Sequence, residues 1–183
     1  IDWATHNMVR EEFLEDKNTG KLLGSLNKLP YLEVDGQIIP QSKAIERYLA
    51  KRFNIMGDND IECARIDGIT EYVRDFKTAY QTVRKLPEDQ KEAGLKEWFT
   101  VTLKERLELL ENLLCREHHT FAVGNRLSLA DVTLFSFIME FFDDKESIWN
   151  STADCPNLRS IVNNVKSDEN LTRWLNNRPN TAF

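Results

Sequence analysis

Two short stretches hold the residue types best suited to gripping a small polar ligand. Asn27-Lys28-Leu29-Pro30-Tyr31-Leu32 puts a proline at the start of an apolar, strand-like run. Proline lacks an amide donor and holds the preceding residue extended. A cis Leu29–Pro30 bond would turn the Leu29 amide and carbonyl outward, where they can pair with an extended peptide as an added strand does. A trans proline in a tight turn is the commoner arrangement. The second stretch, Gln41-Ser42-Lys43-Ala44-Ile45, starts a helix. A serine hydroxyl and the free first-turn amides there meet the positive helix end, which suits a carboxylate. The same serine also fits a plain N-cap.

Other reactive side chains carry less. His118 and His119 are adjacent, so on a helix they do not face one metal ion; an exposed loop end fits them better. Cys63, Cys115 and Cys155 include no CxxC, and their odd number argues against a disulfide framework. They read as reduced thiols of a cytosolic protein, with Cys63 and Cys115 packing as small apolar groups. Asn150-Ser151-Thr152 and Asn170-Leu171-Thr172 are glycosylation sequons without a secretory signal in front of them. Arg84, Lys85, Lys91 and Lys96 form a solvated scatter and not a nucleic-acid stripe.

The elements that position these residues change character near residue 54. Before it, Trp3 to Val9 is a weak strand. Pro30 to Pro40 is a hairpin: Leu32 and Val34 alternate with Glu33 and Asp35, and Asp35-Gly36 is a favoured tight turn. A helix follows from Ser42, with Ala44, Ile45, Tyr48 and Leu49 at helical spacing and Lys51 and Arg52 at its negative end. After the polar segment 54–60 the chain is all helical. Ile66, Ile69, Val73, Phe76, Tyr80 and Val83 share one face of a helix over 61–84. Leu95, Phe99, Leu103, Leu107, Leu110 and Leu114 do the same over 89–116. Ser128-Leu129-Ala130-Asp131 forms a capping box, and the helix from there to Phe142 is apolar nearly all round, as in the middle of a bundle. Pro156 opens another helix, and Leu171, Trp174 and Leu175 mark a last one.

Composition bounds the function. The 183 residues carry 24 basic and 30 acidic side chains, a net charge of −6. With a pI near 5.2, that balance disfavours nucleic acid as the main partner. No apolar run reaches the roughly 18 residues of a membrane span. Residues 1–53 hold eight acidic and eight basic groups, so residues 54–183 account for the whole −6.

Taken in order, these pieces resemble the glutathione transferase family over essentially the whole chain. Pro30, Gln41-Ser42, Ile45 to Lys51, Gly124 to Asp131 and the ending Trp174 to Thr181 match at sensible spacings, with a sigma-like flavour. The resemblance implies a thioredoxin-like α/β domain over 1–53 and an all-helical domain over 54–183. It also implies a cytoplasmic homodimer that uses glutathione as co-substrate without a metal, and no nucleic-acid or membrane partner. By position, Leu29 would bind the cysteinyl backbone of glutathione, and Gln41 and Ser42 its γ-glutamyl end. Lys28 replaces a ligand-contacting glutamine. Phe13, where tryptophan is usual, and Lys17 would approach the glycine end. Asp75 resembles the acid that reaches the γ-glutamyl amine in the other subunit. Tyr72, Phe76 and Tyr80 would face a hydrophobic electrophile. The family's thiol-activating hydroxyl lies on a first strand, and Ile1 to Val9 aligns with the second. No catalytic residue is therefore assigned. Either roughly 25 residues, most of a βαβ unit, are expected ahead of Ile1, or the protein is naturally short of them. The former is favoured, because a sheet without its first strand leaves unpaired edges. Tyr31 and Tyr48 fall on core positions and do not replace it. The resemblance leaves open a non-catalytic member, such as a crystallin-like or dimerisation module. A thiol–disulfide oxidoreductase is disfavoured, since no cysteine lies in the α/β part.

Overall fold

Asp35 and Gly36 both take positive φ, 50° and 73°, as a two-residue hairpin turn requires. They join β1 (Tyr31–Val34) to β2 (Gln37–Pro40), an antiparallel pair in which Tyr31 faces Pro40 and Val34 faces Gln37. The hairpin predicted from alternation and turn chemistry is therefore present. The computed structural model describes residues 11–114 and 120–179. The strand expected at Trp3 to Val9 lies outside them, as do Cys115, His118 and His119. Ahead of the hairpin stand α1 (Glu11–Asn18) and a single 3-10 turn at Leu23–Ser25; behind it comes α2 (Ser42–Arg52). The chain divides into two units, Ile1–Phe53 and Asn54–Phe183.

Every regular element among the second unit's described residues is a helix. Its elements are α3 (Asp60–Arg84), α4 (Glu88–Glu97), α5 (Leu103–Leu114), α6 (Leu129–Met139), α7 (Lys145–Ser151), α8 (Pro156–Lys166) and α9 (Glu169–Asn177). Packing follows the predicted stripes. Ile66, Ile69, Val73, Phe76 and Tyr80 of α3 are buried, and α6 lies against α3 and α8 with Leu134 and Phe137 fully enclosed. Each such Leu or Phe contributes roughly 1.5–3 kcal/mol through burial. Nothing in the described residues is long and apolar enough to cross a membrane as a helix.

Two expectations change here. The single helix predicted over 89–116 is interrupted by a π-helical stretch at Trp98–Thr102 between α4 and α5. The cause is visible in the spacing. Leu95, Phe99, Leu103 and Leu107 recur every four residues, and each such step overshoots an α-helical turn by about 40°. A wider π turn absorbs that drift and keeps Phe99, Leu103 and Leu107 inward. The helix from the capping box ends at Met139 and not at Phe142, although Phe142 remains buried.

Long-range polar contacts then fix the loops. Glu111 is buried on α5 and caps α8: its carboxylate accepts from the Asn157 amide at 2.8 Å and the Leu158 amide at 2.9 Å. Arg126 gathers the segment 54–58, donating to the Asn54 and Met56 carbonyls and to Asp58 at 2.6 Å. Gly57 passes so close to α3 that a Cβ there would stand 2.6 Å from the Cys63 amide nitrogen.

Candidate functional site

The Leu29–Pro30 bond is cis, which settles the alternative that the sequence leaves open. Leu29 is 59% exposed. Among the described residues, no hydrogen bond uses its amide or carbonyl. The hairpin register brings the second stretch alongside. Tyr31 pairs with Pro40, so Pro30 and Gln41 each adjoin the last pair of the hairpin. Gln41 is the N-cap of α2 and has φ 72°, a left-handed value uncommon for a residue with a side chain. Backbone conformations of that kind cluster at ligand clamps. Ser42 is the first helical residue and not the cap, and no side chain caps this end. The amides of the first turn of α2 therefore face outward with an exposed hydroxyl beside them, a set that accepts a carboxylate.

Phe13 joins this group. Phe13 of α1 and Leu29 line one cavity of about 450 Å³ with Glu11, Glu12 and Asp16. Three carboxylates stand on that wall. Lys17, one turn on from Phe13, is exposed at the end of α1. Asp16 is drawn instead to Lys21, at 2.9 Å, which holds the Lys21 ammonium above its usual range. Lys28 is exposed beside Leu29. Tyr31 and Tyr48 are half-buried.

The remaining expected residues belong to the helical unit, and the structure treats them unequally. Asp75 is exposed on α3. Tyr72 is half-buried and donates to the Arg106 carbonyl at 3.4 Å. Burial raises its phenol above the usual range, eased by Arg106 and reinforced by Asp75. Phe76 has no exposed surface: its ring lies 4.6 Å from Tyr72 and 5.4 Å from Phe137. It therefore backs Tyr72 and presents no face to a ligand, a correction that its place on the buried α3 stripe explains. Tyr80 is also buried, and its edge borders a different cavity with Arg84 and Phe99. The three aromatics do not form one open wall.

Among the described residues, no cluster of three His, Cys, Asp or Glu side chains could hold a metal ion. Sequence reasoning missed the Glu111 cap, the Arg126 clamp and α7. Of these only α7 has a local signal, Asp144 accepting from the Ser147 amide at 2.9 Å.

Comparison with known proteins bears on this arrangement. Residues 74–178 match the family model described as glutathione S-transferase, C-terminal domain. The probable glutathione S-transferase 6 of Caenorhabditis elegans is 29% identical, covering 100% of this chain and 87% of its own length. Glutathione S-transferase P 10 of the same organism is 33% identical, covering 86% of this chain and 75% of its own. Among solved structures, a monomeric glutathione S-transferase of the hookworm Necator americanus superimposes with a TM-score of 0.78 at 27% identity. It covers 95% of this chain and 83% of its own.

Proposed function

The chain belongs to the glutathione S-transferase family, and from that premise we propose that it joins the sulfur of glutathione to electrophilic carbon in small apolar compounds. The fold is that of the family: a thioredoxin-like unit, here its hairpin and helices, and an all-helical unit. The observation that carries the proposal is the outward-facing Leu29 backbone beside Gln41 and the uncapped start of α2. Leu29 pairs through its main chain with the cysteinyl part of glutathione, as an added strand does. Gln41 and Ser42 hold the γ-glutamyl carboxylate at the positive helix end. Phe13 packs at the glycine end, where Lys17 and Lys28 offset Glu11 and Glu12 while Lys21 holds Asp16.

Tyr72 gives the electrophile an aromatic surface, with Phe76 behind it; Tyr80 borders the separate cavity with Arg84 and Phe99. Asp75 meets the γ-glutamyl amine bound by a second subunit of a homodimer. The chain works in the cytoplasm, takes glutathione as co-substrate, requires no metal and serves neither nucleic acid nor membrane. Its sigma-like character is supported by the ending from Trp174 to Thr181 and by the Gln41-Ser42 pair. Catalysis consists of lowering the thiol pKa and holding thiolate and electrophile together, so that a bimolecular attack becomes effectively intramolecular. None of the residues named is given the thiol-activating role.

Calorimetric titration with glutathione tests the site. Gln41→Ala and Ser42→Ala are each expected to weaken binding while leaving the melting temperature nearly unchanged, because both residues are exposed. Unchanged affinity in both variants would remove them from the site.

A further inference from the structure

A second cavity, of about 480 Å³, opens within the helical unit. That volume falls inside the range of about 300–1,000 Å³ typical of small-molecule sites. Tyr80, Leu95 and Phe99 give it an apolar wall, with the two rings 6.0 Å apart edge to face. Arg84, Lys91 and Lys96 bring three positive charges to its rim, in a unit where acidic residues outnumber basic ones 22 to 16. Lys91 is shared with Glu88 at 3.3 Å. Arg84 and Lys96 have no carboxylate partner among the described residues.

Asp143 and Asp144 line the same cavity. Asp144 is committed to α7, accepting from Ser147; the Asp143 carboxylate accepts from no donor among the described residues. The Tyr80 hydroxyl is equally free of a partner. Burial raises its pKa, Arg84 lowers it, and Asp143 and Asp144 raise it; all three residues line the same cavity as Tyr80. The wall also adjoins the π stretch, whose Trp98 keeps a buried indole N–H without an acceptor.

We propose that this cavity binds a nucleoside monophosphate. Its phosphate meets Arg84 and Lys96, its base lies against Tyr80, Leu95 and Phe99, and its ribose hydroxyls donate to Asp143. An aromatic acid would satisfy the cations and the apolar wall but would set an anion against Asp143 with nothing to donate to it. A sugar phosphate would satisfy the charges and leave the apolar wall in water. A ligand with a dianionic end, a flat ring and hydroxyl donors matches all three. The site includes none of the glutathione-binding residues and does not depend on them.

Titration of the full chain with adenosine monophosphate, alone and with saturating glutathione, tests the proposal. Sub-millimolar binding that persists in glutathione is expected, weakened about tenfold or more by Arg84→Gln and by Lys96→Gln. Both side chains are exposed, so these variants fold; their melting curves provide the control. Adenosine alone and inorganic phosphate alone should each bind at least tenfold more weakly than the nucleotide. The proposal is overturned by no saturable binding at millimolar nucleotide, by displacement with glutathione, by indifference to both substitutions, or by equal affinity for naphthalenesulfonate.

Discussion

Replacing Asp131 by alanine should remove a large part of the helical unit's stability. Asp131 is fully buried and its carboxylate accepts three hydrogen bonds: from the Ala122 amide at 2.7 Å, the Ser128 amide at 2.9 Å and the Ser128 hydroxyl at 2.5 Å. Ala122 is 2% and Ser128 3% exposed, so water does not replace the lost acceptor. Each amide left unpaired costs about 1–3 kcal/mol. The hydroxyl can rotate toward another acceptor and adds little. The loss comes to about 4 kcal/mol, against a total near 5–15 kcal/mol for a typical domain. Urea unfolding measures it: at a slope of about 2 kcal/mol per molar, the midpoint falls by about 2 M. A fall under about 0.5 M at unchanged slope would mean that the two amides find other partners, and the donor accounting would be wrong. Ser128→Ala should cost about 1 kcal/mol, and the double variant less than the sum, because both changes remove the same bond.

Protonation of the same carboxyl gives a second outcome. Burial raises the Asp131 pKa more than the Ser128 and Ala122 donors lower it. A raised folded-state value contributes stability that is complete below the unfolded value of about 3.9 and is lost as pH rises through the folded one. The margin of the parent protein over Asp131→Asn should therefore be largest in acid and shrink with rising pH; a margin that grows would show the donors outweighing burial. Glu111→Gln turns one of two accepting oxygens into a donor facing α8, and should cost about 2 kcal/mol. In a chain of this size that lowers the melting temperature by about 4–8 °C, and a change under about 2 °C would deny Glu111 its capping role. Burial, reinforced by Glu111 and Asp154, pushes the Cys155 thiol up to about 11. Iodoacetamide should therefore modify half-buried Cys63 in the native protein and spare Cys155 until urea is added, as peptide mapping will read.

What the sequence made legible was local. The hairpin rests on Asp35-Gly36 and four alternating neighbours, and the cap of α6 on residues three apart, so both could be seen without a partner. The enclosed position of α6 followed from its apolar circumference. Glu111 and Asn157 lie 46 residues apart, and Arg126 and Asn54 72; no periodicity announces such pairs. The cis state of Leu29–Pro30 belongs to the same class, since the dipeptide alone permits both isomers. Phe76 shows a different limit. Its spacing placed it on the core stripe while resemblance placed it before a ligand, and packing against Phe137 decides for the core. Tyr80 borders a cavity that also takes Asp143, Asp144 and Ser147 from the start of α7, a short helix whose local signal is the Asp144 cap.

The π turn at Trp98–Thr102 bears on how this chain can change length. It holds one residue more than an α-helical turn needs. Deleting a residue there converts the turn to α and leaves the inward stripes of α4 and α5 pointing as they do. The same deletion at Leu107 would rotate everything beyond it by about 100° and carry Leu110 and Leu114 out of the core. Within the long α4–α5 run, this is the place where a one-residue deletion keeps the register of the core, and it adjoins the cavity beside Tyr80.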